Sequence, residues 1–170
     1  MGESFGRLHP AIQAFHRLNG SHRLSGWVAT DAPASSFARA LAWLIRSPLH
    51  DSGGAFRLWI DAGPQTETWV RRFRDGAMPS RIRAASGRLV EQMGAVRLIF
   101  ELEEADGRLQ MHLVEAQVLG LRWPRWLMPT VQAEERGSTN EVHFDVRAAL
   151  PGIGTVTSYR GWLVVMHRPD

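Results

Sequence analysis

The chain has 170 residues, of which 44% are apolar and 22% charged, and its formal net charge is +3. That is the size and composition of a single globular domain, 1–170, long enough to bury its own core. All twenty basic residues are arginine and there is no cysteine. These absences exclude Schiff-base and pyridoxal lysines, a P-loop lysine, thiol nucleophiles, disulfides and cysteine-held metals, leaving His, Asp, Glu, Ser, Thr and Tyr for any chemistry.

The pI of 10.8 reflects arginines that do not titrate rather than a large excess of charge. The arginines are dispersed among acids, and the densest run, Arg71, Arg72 and Arg74, is broken by Phe73. No long basic stripe results, and no RNP-like string of aromatics accompanies Arg72, Arg74, Arg81 and Arg83, so nucleic acid is not the expected partner. The N-terminal MGESFGRLHPAIQ has no basic region followed by an apolar one, and no apolar run approaches the roughly 18 to 20 residues that cross a bilayer. The expectation is a cytoplasmic protein without a membrane span.

In chain order, Leu8, Ile12, Phe15 and Leu18 follow helical spacing, and Pro10 is tolerated in a first turn. Ser21 to Thr30 reads as a strand. Asp31 and Pro33 then open a second helix, whose core face is expected to be Phe37, Leu41, Leu44 and Ile45, with Arg39 toward solvent. After Ser52 to Gly54 the pattern switches to period two. Phe56, Leu58 and Ile60 alternate with Arg57, Trp59 and Asp61, and Gly63-Pro64 turns the chain into Thr66 to Arg74. Further strands are expected at Pro79–Ala85, Leu89–Gln92, Ala95–Glu103, Arg108–Val118, Thr130–Arg136, Glu141–Ala149 and Thr155–His167, several of them joined by short turns such as Asp106-Gly107. The segment Leu119 to Pro129 reads as an apolar loop or one-turn helix capping an end of the sheet.

Strands joined by tight turns must pair antiparallel, because a parallel pair needs a crossover of a dozen or more residues. So many of them must curl or close to hide their edges. The expected fold is α+β and mainly antiparallel: a curved sheet or closed barrel of about 8–9 strands, helix-grip or lipocalin-like, with two N-terminal-half helices packed on it.

Alternation places Trp69, Arg71 and Phe73 on one face of their strand and Val70, Arg72 and Arg74 on the other. If the aromatic face is interior, the Arg71 guanidinium needs an acceptor there, from the protein or from a ligand. On the last strand Arg160 and Trp162 share one face and Tyr159, Gly161 and Leu163 the other. Glu91, Glu101, Glu115, Glu134 and Glu135 are candidates for an acid and base pair, should two of them converge. The seven histidines show no HExxH or HxH spacing, although His9 and His16 stand seven apart and His143 shares a face with Asp145. No metal site or cofactor is expected. There is no GxSxG for a serine elbow.

Taken together, several short motifs resemble a bacterial family. They are Leu8-His9-Pro10 with Gln13 and His16; Trp69-x-Arg71-x-Phe73 followed by Ser80; Glu91 with Gly94; and Leu119-Gly120-Leu121 with Pro124 and Pro129. Phe144-Asp145-Val146, Leu150-Pro151 and Tyr159-Arg160-Gly161-Trp162-Leu163 complete the series. Their order from about Phe5 to Val164 resembles domain of unknown function 4166. The resemblance implies a domain that stands alone or follows a nucleotide-binding oxidoreductase domain, and it implies no reaction. This chain has no GxGxxG, so a dinucleotide site would lie on another polypeptide.

The ligand-binding candidates are the matching positions Trp69, Arg71, Phe73, Ser80, Glu91, Tyr159, Arg160 and Trp162. The leading expectation is a binding or accessory domain for an apolar, amphipathic or anionic small molecule. The alternatives are an enzyme using a buried Glu or Tyr159 as acid or base, and a module docking on an oxidoreductase domain through an apolar patch at Leu121 to Leu127.

Overall fold

The computed structural model describes residues 2–165. The period-two pattern becomes eleven antiparallel strands: β1 (Gly20–Asp31), β2 (Ser52–Ala62), β3 (Thr66–Phe73), β4 (Gly76–Ala85), β5 (Arg88–Met93), β6 (Val96–Ala105), β7 (Arg108–Val118), β8 (Leu121–Arg122), β9 (Thr130–Gly137), β10 (Glu141–Leu150) and β11 (Gly154–Val164). Their lateral order is β6-β5-β4-β3-β2-β1-β11-β10-β9-β7, and β7 returns to pair with β6. The sheet is therefore a closed ten-stranded barrel, with the two-residue β8 added to the end of β7. The count exceeds the expected 8–9 because β1, which precedes the second helix, enters the wall between β2 and β11. Without it the wall would have two free edges. The last strand ends at Val164; the expected extension to His167 lies outside the described residues.

Alternation assigns the two surfaces of the wall. Phe56, Leu58 and Ile60 are buried, while Arg57 and Asp61 on the same strand face out. Met78, Val142, Tyr159 and Leu163 join them from β4, β10 and β11. Each fully buried side chain of this size contributes about 2 kcal/mol relative to exposure.

Curvature comes from irregularities with identifiable causes. Opposite Ile99/Phe100 and Ala148/Ala149 the register skips Val114 of β7 and Val156 of β11, and an extra residue in one strand of a pair bends that strand. The two-residue turns Ser86-Gly87 and Asp106-Gly107 place both residues at positive φ, the geometry that matches strand twist in a hairpin. Closure is uneven: β6 and β7 pair along ten positions, but β7 and β9 only at Leu109–Met111.

The helices cap opposite mouths. α1 (Pro10–Phe15) starts with Pro10 in its first turn and His9 at its N-cap, where the ring accepts the Ala11 N–H at 3.2 Å. The backbone N–H of His9 donates to Gly107 O at 2.9 Å, which fastens the helix to the β6–β7 turn, and Ala11, Ile12 and Phe15 plug the mouth. α2 (Ser36–Leu44) begins at Ser35, whose Oγ accepts from Ala38 N and donates to Ile153 O.

The buried face of α2 departs from the expected one. Ala38 and Ala42 are fully buried against Leu150 and Val156, whereas Phe37 is 59% and Leu44 38% exposed. Leu41 and Ile45 are half-buried. Alanines four apart allow the helix backbone to lie close on β11, a contact the bulkier side chains would hold off. Leu119 to Pro129 forms β8 and one 3-10 turn, Arg125–Leu127, so the one-turn helix is present; Trp123 and Leu127 pack beside α2.

Gly26 and Gly161 lie where β1 meets β11. A Cβ on Gly161 would stand 2.1 Å from Trp27 O, and one on Gly26 1.8 Å from Trp162 O. Both obstacles are backbone, which cannot swing aside. Gly161→Ala is expected to cost about 3 kcal/mol, read as a lower urea midpoint at unchanged m; a loss under about 0.5 kcal/mol would show that the strands separate easily there.

Candidate functional site

Inside the barrel lies a cavity of about 170 Å³, lined mainly by apolar side chains such as Phe56, Leu58, Met78, Phe144 and Val146. Its polar groups come from strands whose inward positions are set by alternation: Arg71 on β3, Glu91 on β5, Glu135 on β9 and Tyr159 on β11. His16, just past the end of α1, reaches in from the capped mouth.

Arg71 is the organising group. Its Nη1 donates to Ser80 Oγ at 2.9 Å, its Nη2 lies 3.0 Å from Glu91 Oε1, and its guanidinium stands 5.2 Å from the Trp69 ring. Trp69 in turn donates from Nε1 to Glu67 at 2.8 Å. Burial disfavours a charged guanidinium, but Glu91, with Tyr159 and Glu135 behind it, outweighs burial, and the pKa of Arg71 is raised. Glu91 Oε1 is buried with Arg71 as its one neighbouring donor and no further partner, so it retains capacity to accept a second hydrogen bond.

Tyr159 packs edge-on against Phe73 at 5.5 Å and near Phe144 at 6.0 Å. Burial raises its pKa, and the nearby Glu91 and Glu135 charges add to this against an opposing effect of Arg71. It is therefore a neutral phenol at physiological pH, able to donate.

A second pair faces the same space. His16 Nε2 lies 2.7 Å from Glu135 Oε2, across 119 residues of sequence. The Glu135 side chain is 8% exposed and that of His16 21%. Burial works against the imidazolium, but the charge and hydrogen bond of Glu135, with Glu67 behind them, raise the His16 pKa above 6.5.

Of the expected site residues, the structure gathers Trp69, Arg71, Phe73, Ser80, Glu91 and Tyr159 into this interior cluster. Arg160 and Trp162 lie elsewhere: they point outward from β11 and border a shallow outer groove with Trp27, His143 and Asp145. The other candidate glutamates are paired with arginine at the surface, Glu101 with Arg88, Glu115 with Arg122 and Glu134 with Arg136. His9 serves as a helix cap and does not converge with His16. No group of three or more potential metal ligands occurs among the described residues. Sequence reasoning had His16 and Glu135 separately but missed their convergence. The available signal was the shared parity of Ala133 and Glu135, both buried on β9.

With this geometry in place, the chain can be assigned to a class: a closed β-barrel with a polar cluster buried in an otherwise apolar interior. It matches the family described as Domain of unknown function (DUF4166) over residues 8–163, and it belongs to that family. Among solved structures it is similar to the crystal structure of Rv2717c from M. tuberculosis, at 14% identity and a TM-score of 0.47, with 94% of this chain and 99% of that one covered. No curated protein matches it. Among the described residues no helix is long and apolar enough to cross a membrane.

Two outcomes test the cluster. Arg71→Met strands Glu91 as a buried charge and is expected to cost about 3 kcal/mol in urea unfolding, while Arg71→Met with Glu91→Leu recovers most of it; a single-variant loss below about 1 kcal/mol would contradict a desolvated pair. For His16 the folded pKa lies above the unfolded one, so its contribution is complete below pH 6.5 and fades as the pH rises through the folded value. The wild type should melt roughly 3–6 °C above His16→Gln at pH 6, from about 1.5 kcal/mol for a charged hydrogen bond. That gap should narrow by pH 9; a constant gap would mean that His16 does not titrate in this range.

Proposed function

We propose that the barrel binds a small amphipathic molecule, its apolar body against Phe56, Met78 and Phe144 and its polar head between Arg71, Glu91 and Tyr159. The observation that carries this reading is the juxtaposition, in one mainly apolar cavity, of a donor and an acceptor with unused capacity: the Tyr159 hydroxyl and Glu91 Oε1. Pockets for small ligands combine an apolar lining with a few such groups.

Charge and volume narrow the ligand. Arg71 is matched by Glu91 and His16 by Glu135, so the interior offers no surplus positive charge to offset the desolvation of an anion. An uncharged head that both donates and accepts, a phenol or alcohol, fits better than a carboxylate. An apolar cavity of about 150 Å³ accommodates benzene, which sets the body at about one ring or a short branched chain.

The test begins with native mass spectrometry of freshly purified protein for a co-purified molecule, followed by titration with p-cresol and 4-methylbenzoate. The phenol should raise the melting temperature and the benzoate should not. Tyr159→Phe should weaken phenol binding about fivefold, the value of one hydrogen bond, and Ala133→Leu, which fills the cavity, should abolish it. The absence of both a co-purified molecule and any phenol response would overturn the reading, as would undiminished binding to the filled variant.

A second reading, an enzyme acting on such a molecule, is favoured by the His16–Glu135 pair at the cavity wall, because a buried carboxylate coupled to a titrating imidazole is a plausible acid and base. The same ligands separate the two. Catalysis requires conversion of the bound molecule, lost in Glu135→Gln with binding retained; recovery of the ligand unchanged leaves the binding role alone.

A further inference from the structure

Seven large apolar side chains are exposed on the described surface, and six of them sit at one end of the barrel: Phe37, Trp43, Leu44, Leu119, Leu121 and Trp126. The first three belong to α2, and the others to the segment between β7 and β9 that packs beside it through Trp123 and Leu127. The patch expected at Leu121 to Leu127 is thus part of a larger rim, since Trp123 and Leu127 turn inward while Leu121 and Trp126 are 76% and 78% exposed. An apolar concentration of this kind on one end of a molecule marks a contact surface.

Charge identifies what the surface fits. Residues 32–50 and 116–130 contain Arg39, Arg46, Arg122 and Arg125 and not one Asp or Glu. Only Arg122 of these has an acidic partner among the described residues, Glu115 of the neighbouring strand. The opposite mouth, capped by α1, carries Asp61, Glu103, Glu104, Asp106 and Glu141 on or beside its turns. Asp31, Asp51 and Asp75 stand at the margin of the α2 mouth, and Arg7, Arg17, Arg88 and Arg108 accompany the carboxylates of the other, so the contrast lies in the two rim segments themselves, where tryptophan, leucine and arginine occur together without acid. Tryptophan rings settle at the headgroup level of a bilayer, and arginines beside them engage anionic headgroups.

We infer that the α2 mouth is a peripheral docking surface for an anionic phospholipid bilayer, with Trp43 and Trp126 as its interfacial anchors and Arg39, Arg46 and Arg125 as its headgroup contacts. The strands stay in water, and the α1 mouth, with Glu103, Glu104 and Asp106 on its turns, points away from the membrane. This inference does not depend on what the cavity binds.

The test is co-sedimentation of the full chain with vesicles of phosphatidylcholine alone and of phosphatidylcholine with 30% phosphatidylglycerol, at 50 mM and 500 mM NaCl. The protein should pellet with the anionic vesicles at low salt, be released by high salt, and leave the neutral vesicles largely unbound. Trp43→Ala with Trp126→Ala, and separately Arg39→Glu with Arg125→Glu, should each lower partitioning by about tenfold or more. Trp162→Ala, on the outer barrel wall, should leave it unchanged. Circular dichroism spectra matching the wild type establish that the variants remain folded. Failure to bind anionic vesicles would overturn the inference, as would binding insensitive to both double variants. So would a concentration-dependent dimer, abolished by the tryptophan variants, in place of vesicle uptake, because it would assign the surface to a second copy of this chain.

Discussion

Closure of the sheet is the constraint from which the other features follow. Ten strands can satisfy their backbone N–H and C=O groups without a free edge only if the last pairing is made, and here it is made by β7, held between β6 and β9. Once the wall is closed, the inward side chains of every strand share one water-poor space. The β7–β9 join, paired at only three positions, is the least continuous part of the wall.

A closed apolar interior dictates how its polar residues must behave. Arg71 enters because its strand parity places it there, and it is tolerable only because Ser80 on β4 and Glu91 on β5 accept it. A stranded partner would cost several kcal/mol. The same reasoning applies to His16 and Glu135, which meet where α1 plugs the barrel. Two matched pairs and one uncommitted phenol leave the interior with hydrogen-bonding capacity and no surplus charge.

The two mouths differ because their caps differ. α1 is held by a proline start, a histidine cap and a backbone bond to the β6–β7 turn, and its apolar residues are spent on filling the opening. α2 uses alanines to lie close on β11 and therefore leaves Phe37 and Trp43 outside. The exposed rim is thus a consequence of how that helix packs, and the absence of acid from both rim segments gives it its character.

The strands were legible in the sequence because period-two alternation is a local property: Phe56, Leu58 and Ile60 announce their face without reference to any neighbour. That Arg71 shares a face with Trp69 and Phe73 was legible for the same reason, though not that this face turns inward. Parity alone could not decide β11, where both faces carry an aromatic residue; the pairing of Tyr159 with Val146 and of Arg160 with Asp145 put Tyr159 inside and Arg160 and Trp162 outside. Nor could it foresee the closeness of His16 and Glu135, or the choice of Ala38 and Ala42 over Phe37 and Leu44 as the buried stripe. The sequence by itself determined an antiparallel β domain with two helices and an arginine sharing a face with two aromatics, since those depend on spacing along the chain. Only the tertiary structure decided the number of strands in the wall, the partners of that arginine and the faces that remain exposed, because these depend on which distant segments closure brings within a few ångströms.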